Sequence, residues 1–281
     1  MLIPSTITGT AAGVPFIAVP PTTSPHETAP IVIAWHLLDA PRTPAAFAAA
    51  VPLAGLDAWR VYLTLPLCGA RMPAGGFDEI TRLGMEDAVK HLYEPIIVGA
   101  ADEFPAVLSD LRQQLSAHSS ALGLLGGSAG SAVAQLVLAE SGLSIGATVL
   151  VSPMPQLRPV ISLMSTWFGV FYTWSDTSDG IASRLDFAAR ADEIATRQHE
   201  SPILMILGDA DDETLISSTR DEHAALLGLY ANPDRIPLVM IAGMPHALAE
   251  GDGIEPAPQN ADAAEVDQLA AEWFRQHLMA E

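Results

Sequence analysis

Short continuous apolar runs recur along the chain, and amphipathic or alanine-rich stretches separate them. An apolar run without alternation is typical of a strand that is buried on both faces, and helical spacing between such runs indicates helices that cover the sheet. Strands that alternate with helices form a parallel sheet, so the pattern predicts the α/β class. The predicted central strands are residues 31–35, 59–65, 121–125, 147–151, 203–207 and 237–242.

The remaining segments add a sheet edge and long helices to this pattern. Residues 7–19 alternate modestly and precede a turn rich in proline and threonine, which predicts a β-hairpin at a sheet edge because proline cannot donate to a central ladder. Residues 77–117 are predicted to be mostly helical, with breaks at Gly84 and near Gly99. An amphipathic helix over residues 262–279 is predicted to end the chain.

One stretch joins a predicted strand directly to a predicted helix through Gly126-Gly127-Ser128-Ala129-Gly130. A turn this sharp strains its central residue, and the strain is tolerated when the residues two before and two after it have no side chain. The turn would lift the Ser128 hydroxyl above the sheet edge, where the N–H groups of the following helix point. The pattern predicts a nucleophile, although similar turns also occur in α/β proteins without catalysis.

A serine nucleophile needs a base and a carboxylate that orients the base. Of eight histidines, His246 alone lies just past a predicted strand end and downstream of the acid candidates. The candidates Asp209, Asp211 and Asp212 all follow the strand at residues 203–207. We predict Asp211 as the acid, because the chain must turn before a carboxylate can face the histidine. Asp212 and then Asp209 are the alternatives, and the two remaining acids would serve a solvated turn or a helix N-cap.

These motifs resemble those of the α/β-hydrolase superfamily, of the serine esterase and lipase type. The glycine–serine turn is similar to the nucleophile elbow, and the resemblance extends over nearly the whole chain. It implies an eight-stranded, mostly parallel sheet with helices on both faces and acyl transfer through a serine ester. The other two matching motifs, in the family's order, are Gly208-Asp209-Ala210-Asp211 as acid loop and Gly243-Met244-Pro245-His246 as histidine loop.

The same resemblance implies an oxyanion hole formed by backbone N–H groups. One would belong to Ala129 and the other to Leu37, in the loop after the strand at residues 31–35. Here the chain departs from the family pattern, because many members have His-Gly where this chain has His36-Leu37-Leu38. The sequence therefore defines the second oxyanion donor less sharply than the first.

Residues 154–200 interrupt the rhythm of strands and helices, at the place where α/β-hydrolases commonly insert a cap. The first half of this segment is apolar and aromatic. It predicts a lid in which Trp167, Phe168 and Phe171 line the substrate site, with an ordinary buried helix as the alternative. The predicted organisation is a core domain of residues 1–153 and 201–281 with a helical cap over residues 154–200.

Composition limits the classes of partner. The formal net charge of −20, from 33 acidic and 13 basic residues, argues against nucleic acid and anionic membrane surfaces. The single cysteine, Cys68, excludes an intrachain disulfide and a thiolate metal cluster. The first residues have no basic region ahead of a hydrophobic core, so we expect no signal peptide and a cytoplasmic protein.

The sequence therefore predicts a serine hydrolase, a carboxylesterase for small to medium apolar acyl groups that needs no metal or organic cofactor. Thioesterase, peptidase and acyltransferase activities use the same triad and remain alternatives, as does a noncatalytic ligand-binding protein of this fold. A dinucleotide site is disfavoured, because Ser152-Pro153 stands where such a fold has an acidic residue for the ribose. The expected partner is a small-molecule ester, and a homodimer is left open.

Overall fold

The computed structural model describes residues 6–279, without the side chains at positions 167 and 168. Its strands are β1 (Ile7–Ala11), β2 (Val14–Val19), β3 (Ile31–Trp35), β4 (Trp59–Leu63), β5 (Leu122–Gly127), β6 (Ala147–Val151), β7 (Ile203–Gly208) and β8 (Leu238–Ile241). They form an eight-stranded sheet in the order β1-β2-β4-β3-β5-β6-β7-β8, antiparallel at β1 and β2 and parallel from β4 to β8. The predicted fold class, a mostly parallel eight-stranded sheet in an α/β protein, is confirmed.

The first two strands form the predicted edge hairpin. Ala12 and Gly13 connect them with positive φ angles of 45° and 86°, and Ala11 pairs with Val14 across the turn. A two-residue turn with positive φ at both positions matches the twist of the flanking strands. The β2 strand and its pairing with β4 both end at Val19, so the prolines that follow lie outside the ladder, as the sequence predicts.

Helices cover both faces of the sheet. In chain order they are α1 (Pro44–Ala50), α2 (Gly76–Ala88), α3 (Gly99–Gln114), α4 (Ala129–Glu140), α5 (Leu157–Phe168), α6 (Asp176–Arg184), α7 (Ala191–Arg197), α8 (Glu213–Leu227) and α9 (Ala261–Leu278). Helices α1 and α9 pack on one face, and α3, α4, α7 and α8 contribute to the core on the other face. The strands β3, β5, β6 and β7 are buried along their whole length between these layers, which explains their unbroken apolar runs.

The long helical region after β4 has its break at Asp87 rather than at Gly84 or Gly99. Asp87 has the non-helical angles φ −162° and ψ 96° at the end of α2. Its Oδ1 accepts the backbone N–H of Lys90 at 3.1 Å, which is the N-cap arrangement that starts a new helix. The two glycines remain helical. The Asp87 carboxylate, which can cap the next helix, determines where α2 ends.

The segment between β6 and β7 holds three helices, α5 to α7. Helix α5 ends at Gly169, which adopts the left-handed conformation with φ 65°. Helix α7 packs against α4 and α8, and it therefore belongs to the helical layer of the sheet. The part of the segment next to the carboxyl ends of the strands is α5.

A buried carboxyl lies between α4 and α8 and makes stability depend on pH. Glu222 is fully buried, and burial, with a smaller contribution from the charge of Asp186, raises its pKa to about 8. The side-chain amide of Gln135 faces this carboxyl, and with its nitrogen turned towards Glu222 it would lie 3.2 Å from Oε2. The folded chain therefore holds the proton of Glu222 more tightly than the unfolded chain does. This difference contributes its full stabilisation of the fold below the unfolded pKa of about 4.5.

We expect the free energy of unfolding to fall as the pH rises towards about 8, by up to about 1.4 kcal/mol per pH unit from this group. Glu222→Gln should flatten this dependence, because an amide of the same shape does not ionise. Denaturant unfolding at a series of pH values measures it, with Asp221→Asn on the exposed side of α8 as the matched control. An unchanged pH dependence in Glu222→Gln would contradict the assignment.

Candidate active site

Ser128 lies in the turn between β5 and α4, at the carboxyl edge of the sheet. Its backbone has φ 48° and ψ −115°, a strained conformation for a residue with a side chain. A Cβ at Gly126 would collide with the backbone of Gly130, and a Cβ at Gly130 would collide with the carbonyl oxygen of Trp35. Both flanking glycines are thus required by close backbone approach, which is the physical basis of the motif.

A continuous chain of hydrogen bonds joins the three residues that the sequence singles out. His246 Nε2 lies 2.9 Å from Ser128 Oγ, and His246 Nδ1 lies 2.7 Å from Asp211 Oδ2. The Asp211 side chain is only 4% exposed, and its Oδ1 accepts the N–H of Asp212 at 2.7 Å. With Nδ1–H donating to the carboxylate, Nε2 is free to accept the proton of the serine hydroxyl.

The other two acids of the loop make local contacts instead. Asp209 Oδ1 accepts the backbone N–H of Gly243 at 2.6 Å, which ties the acid loop to the histidine loop. Asp212 is the N-cap of α8 and accepts the N–H of Thr214 at 2.8 Å. The structure therefore brings Asp211, and neither of its neighbours, to the histidine.

Two further serines support this arrangement, and sequence reasoning missed their contribution. Ser152 Oγ donates to the carbonyl oxygen of His246 at 3.0 Å. Ser131 Oγ donates to the carbonyl oxygen of Ser128 at 2.6 Å and accepts the N–H of Met154 at 2.9 Å. Position supplied a usable signal for Ser152, since it directly follows β6 at the same sheet edge.

In the loop after β3, the Leu38 side chain faces the site and the Leu37 side chain faces the core. The Leu37 side chain is fully buried in the core and fills the space that a Cβ on Gly127 would need. Leu38 and Ala129 line the cavity that contains Ser128 and His246. In the described part of the chain, the backbone N–H groups of Leu37, Leu38 and Ala129 all donate to no backbone acceptor. The predicted donor Leu37 thus has its side chain turned into the core, and the next residue faces the cavity.

A buried histidine holds this loop in place. His36 is fully buried, and burial lowers its pKa to about 4, so the ring is neutral at physiological pH. Nδ1 lies 2.7 Å from the carbonyl oxygen of Leu37, to which it donates, and Nε2 accepts the N–H of Leu65 at 3.3 Å. The ring therefore links the ends of β3 and β4 and fixes the path of the backbone towards Leu38.

The cavity above Ser128 has a volume of about 550 Å³ and largely apolar walls. Helix α5 contributes Val160, Leu163 and Met164. Phe171 does not line it and is 91% exposed, because it lies three residues beyond the end of α5. The predictions for Trp167 and Phe168 concern side chains outside the described part of the structure. The full lining set is Leu38, Asp39, Tyr93, Ser128, Ala129, Met154, Val160, Leu163, Met164, Ala210, Asp211, Asp212, Leu215 and His246.

Residues 6–279 contain neither a metal-binding cluster nor a membrane-spanning helix. Within that range, no group of three or more histidine, cysteine, aspartate or glutamate side chains is placed to hold a metal ion. No helix in the same range is long and apolar enough to cross a membrane. Burial raises the pKa of the Cys68 thiol to about 11, which keeps it protonated at neutral pH.

Neither a protein-family model nor a curated protein matches the sequence, but solved structures match the fold. TT1662 from Thermus thermophilus superimposes with a TM-score of 0.68 at 16% identity, over 99% of both chains. Dienelactone hydrolase from Anabaena variabilis gives 0.58 at 17% identity, over 99% of this chain and 100% of that one. Acylaminoacyl peptidase from Pyrococcus horikoshii gives 0.61 at 14% identity, over 99% of this chain but 42% of the peptidase. The chain has the α/β-hydrolase fold.

Proposed function

We propose that the protein is a serine hydrolase that cleaves carboxylic esters with small to medium apolar acyl groups. The observation that carries the proposal is the hydrogen-bonded chain from Asp211 through His246 to Ser128, which opens into a largely apolar cavity. The fold is shared with dienelactone hydrolase and acylaminoacyl peptidase, whose names describe hydrolytic enzymes. These likenesses support hydrolysis without selecting the substrate.

The geometry supports a two-step acyl transfer. His246 Nε2 takes the proton of Ser128 Oγ as the oxygen attacks the ester carbonyl carbon, and Asp211 stabilises the imidazolium. Collapse of the tetrahedral intermediate breaks the bond to the leaving alcohol, which receives the proton from His246. Water then attacks the acyl-enzyme, with His246 again as base, and releases the carboxylic acid and free Ser128.

The developing oxyanion needs donors that are already in position. We propose the backbone N–H of Ala129, the first residue of α4, as one donor, since it begins a helix whose N-terminus favours negative charge. We propose the N–H of Leu38 as the other, in place of the predicted Leu37, because Leu38 lines the cavity.

The proposed cap is centred on α5, and α7 is assigned to the helical layer of the core.

Peptide hydrolysis is the second candidate, because the chain matches acylaminoacyl peptidase over 99% of its length. Turnover of p-nitrophenyl butanoate compared with N-acetylalanine p-nitroanilide distinguishes the two. The ester proposal predicts a clear preference for the p-nitrophenyl ester beyond its intrinsic reactivity. A preference for the anilide would favour the peptidase instead, and no turnover of either compound would contradict both.

The acyl-chain preference should depend on α5. We expect Leu163→Ala to shift the optimum of kcat/KM towards longer p-nitrophenyl esters, because it enlarges the wall of the cavity and each buried methylene contributes about 0.8 kcal/mol. Phe171→Ala is the matched control, since that side chain is exposed and outside the cavity. A shift in Phe171→Ala but none in Leu163→Ala would show that the lining has been assigned to the wrong residues.

A further inference from the structure

The active-site cavity has a distinctive charge distribution. Three of its lining residues are aspartates, Asp39, Asp211 and Asp212, and none of the 13 lysine and arginine residues, all of which lie in the described part of the chain, lines it. Asp211 pairs with His246. Among the ion pairs of residues 6–279, none gives Asp39 or Asp212 a cationic partner. Of these three aspartates, only Asp211 therefore has a side-chain partner of opposite charge in the described part of the chain, and Asp212 is stabilised by the N-terminus of α8.

Asp39 is the carboxylate with the closest relation to the chemistry. It directly follows Leu38, whose N–H is the proposed oxyanion donor, and it is exposed at the cavity. It has no side-chain role as a helix cap, in contrast to Asp212, which caps α8. A carboxylate beside a developing oxyanion repels the negative charge of the oxyanion. A positive charge on the substrate would be attracted to the carboxylate and to the oxyanion.

Tyr93 supplies a second and independent feature of the same cavity. It is only 8% exposed and lies in the π-helical stretch Val89–Val98 that joins α2 to α3, a kind of segment often found at functional sites. Its hydroxyl donates to Met164 Sδ at 3.1 Å, a weak acceptor. Burial, and to a smaller extent the charge of Asp39, raises the pKa of the Tyr93 phenol, so the phenol stays neutral beside Asp39 in the wall of the cavity.

We propose that the site prefers esters with an ammonium group within a few bonds of the scissile carbonyl, with Asp39 as the specificity-determining carboxylate and the Tyr93 ring as the second contact. The proposal rests on the proposed function and adds a substrate class to it. The formal net charge of −20 acts in the same direction, because it attracts cations to the protein surface and repels anionic esters.

Two isosteric substrate pairs test the preference. One pair is 2-(trimethylammonio)ethyl butanoate and 3,3-dimethylbutyl butanoate, which differ only in the charge of the alcohol. The other is the p-nitrophenyl ester of 4-(trimethylammonio)butanoic acid and that of 5,5-dimethylhexanoic acid, which differ in the acyl group. We expect kcat/KM to favour the cationic member of at least one pair by roughly tenfold, and the preference to shrink in about 0.5 M salt because exposed charges are screened.

Asp39→Asn should remove most of this preference, because it deletes the charge and keeps the shape of the side chain. Glu265→Gln is the matched control, since it removes one exposed carboxylate of α9 outside the cavity, and it should retain the preference. Equal turnover of both members of each pair, or a preference that persists in Asp39→Asn, would overturn the proposal. A wild-type protein that cleaves neither member of either pair would instead contradict the proposed function as well.

Discussion

Ser128→Ala is expected to lower kcat/KM for p-nitrophenyl butanoate by roughly 10⁴-fold or more. The hydroxyl oxygen is the atom that forms the acyl-enzyme, and it lies 2.9 Å from the nitrogen that would take its proton. Alanine removes this oxygen and leaves the glycines, the turn and the cavity unchanged. The residual rate would come from the oxyanion donors and from substrate binding alone.

The matched control for this variant is Ser217→Ala, which removes a hydroxyl from the exposed side of α8. It should keep wild-type turnover. For both variants, the free energy of unfolding should lie within about 1 kcal/mol of the wild-type value. Activity above a tenth of the wild-type value in purified Ser128→Ala would show that another group performs the reaction.

Asp211→Asn is expected to reduce kcat by roughly 10³–10⁴-fold, as the corresponding change does in serine proteases. An asparagine amide can donate to His246 Nδ1, which would leave the proton on Nε2 and block proton transfer from Ser128. The wild-type carboxylate accepts from Nδ1 at 2.7 Å and is almost fully buried, so bulk water cannot replace it readily.

Asparagine substitutions at the neighbouring acids provide the controls. Asp212→Asn keeps a good N-cap for α8, because asparagine caps helices about as well as aspartate. Asp209→Asn keeps an oxygen that can accept the N–H of Gly243. Each should lose less than about tenfold in kcat. A large loss at either position together with full activity in Asp211→Asn would contradict the assigned triad.

The buried strands and the candidate triad could both be predicted from the sequence. Fully buried parallel strands read as unbroken apolar runs, so β3, β5, β6 and β7 were predictable to within a few residues. The candidate triad residues follow strand ends in the expected order, and the topology of a parallel sheet brings such positions to one edge. The strand positions and the candidate triad could be predicted because the apolar runs and the strand ends are both visible in the sequence.

Other details depend on contacts that no local pattern encodes. Which of Leu37 and Leu38 faces the cavity depends on how the loop after β3 packs against Gly127 and on the bonds of the buried His36. The exposure of Phe171 follows from the point where α5 stops, just before its C-cap Gly169. Long-range packing also brings Tyr93 to the cavity that contains Ser128, which its helical sequence context does not indicate.

Ser128 is expected to react as an activated nucleophile, and a fluorophosphonate probe tests this without a choice of substrate. The probe phosphonylates a serine oxygen that an adjacent base has activated, and peptide mapping identifies the modified residue. We predict stoichiometric labelling of Ser128 in the wild-type protein and none in Ser128→Ala. Absence of labelling in the folded wild-type protein, or modification of a different residue, would contradict the account.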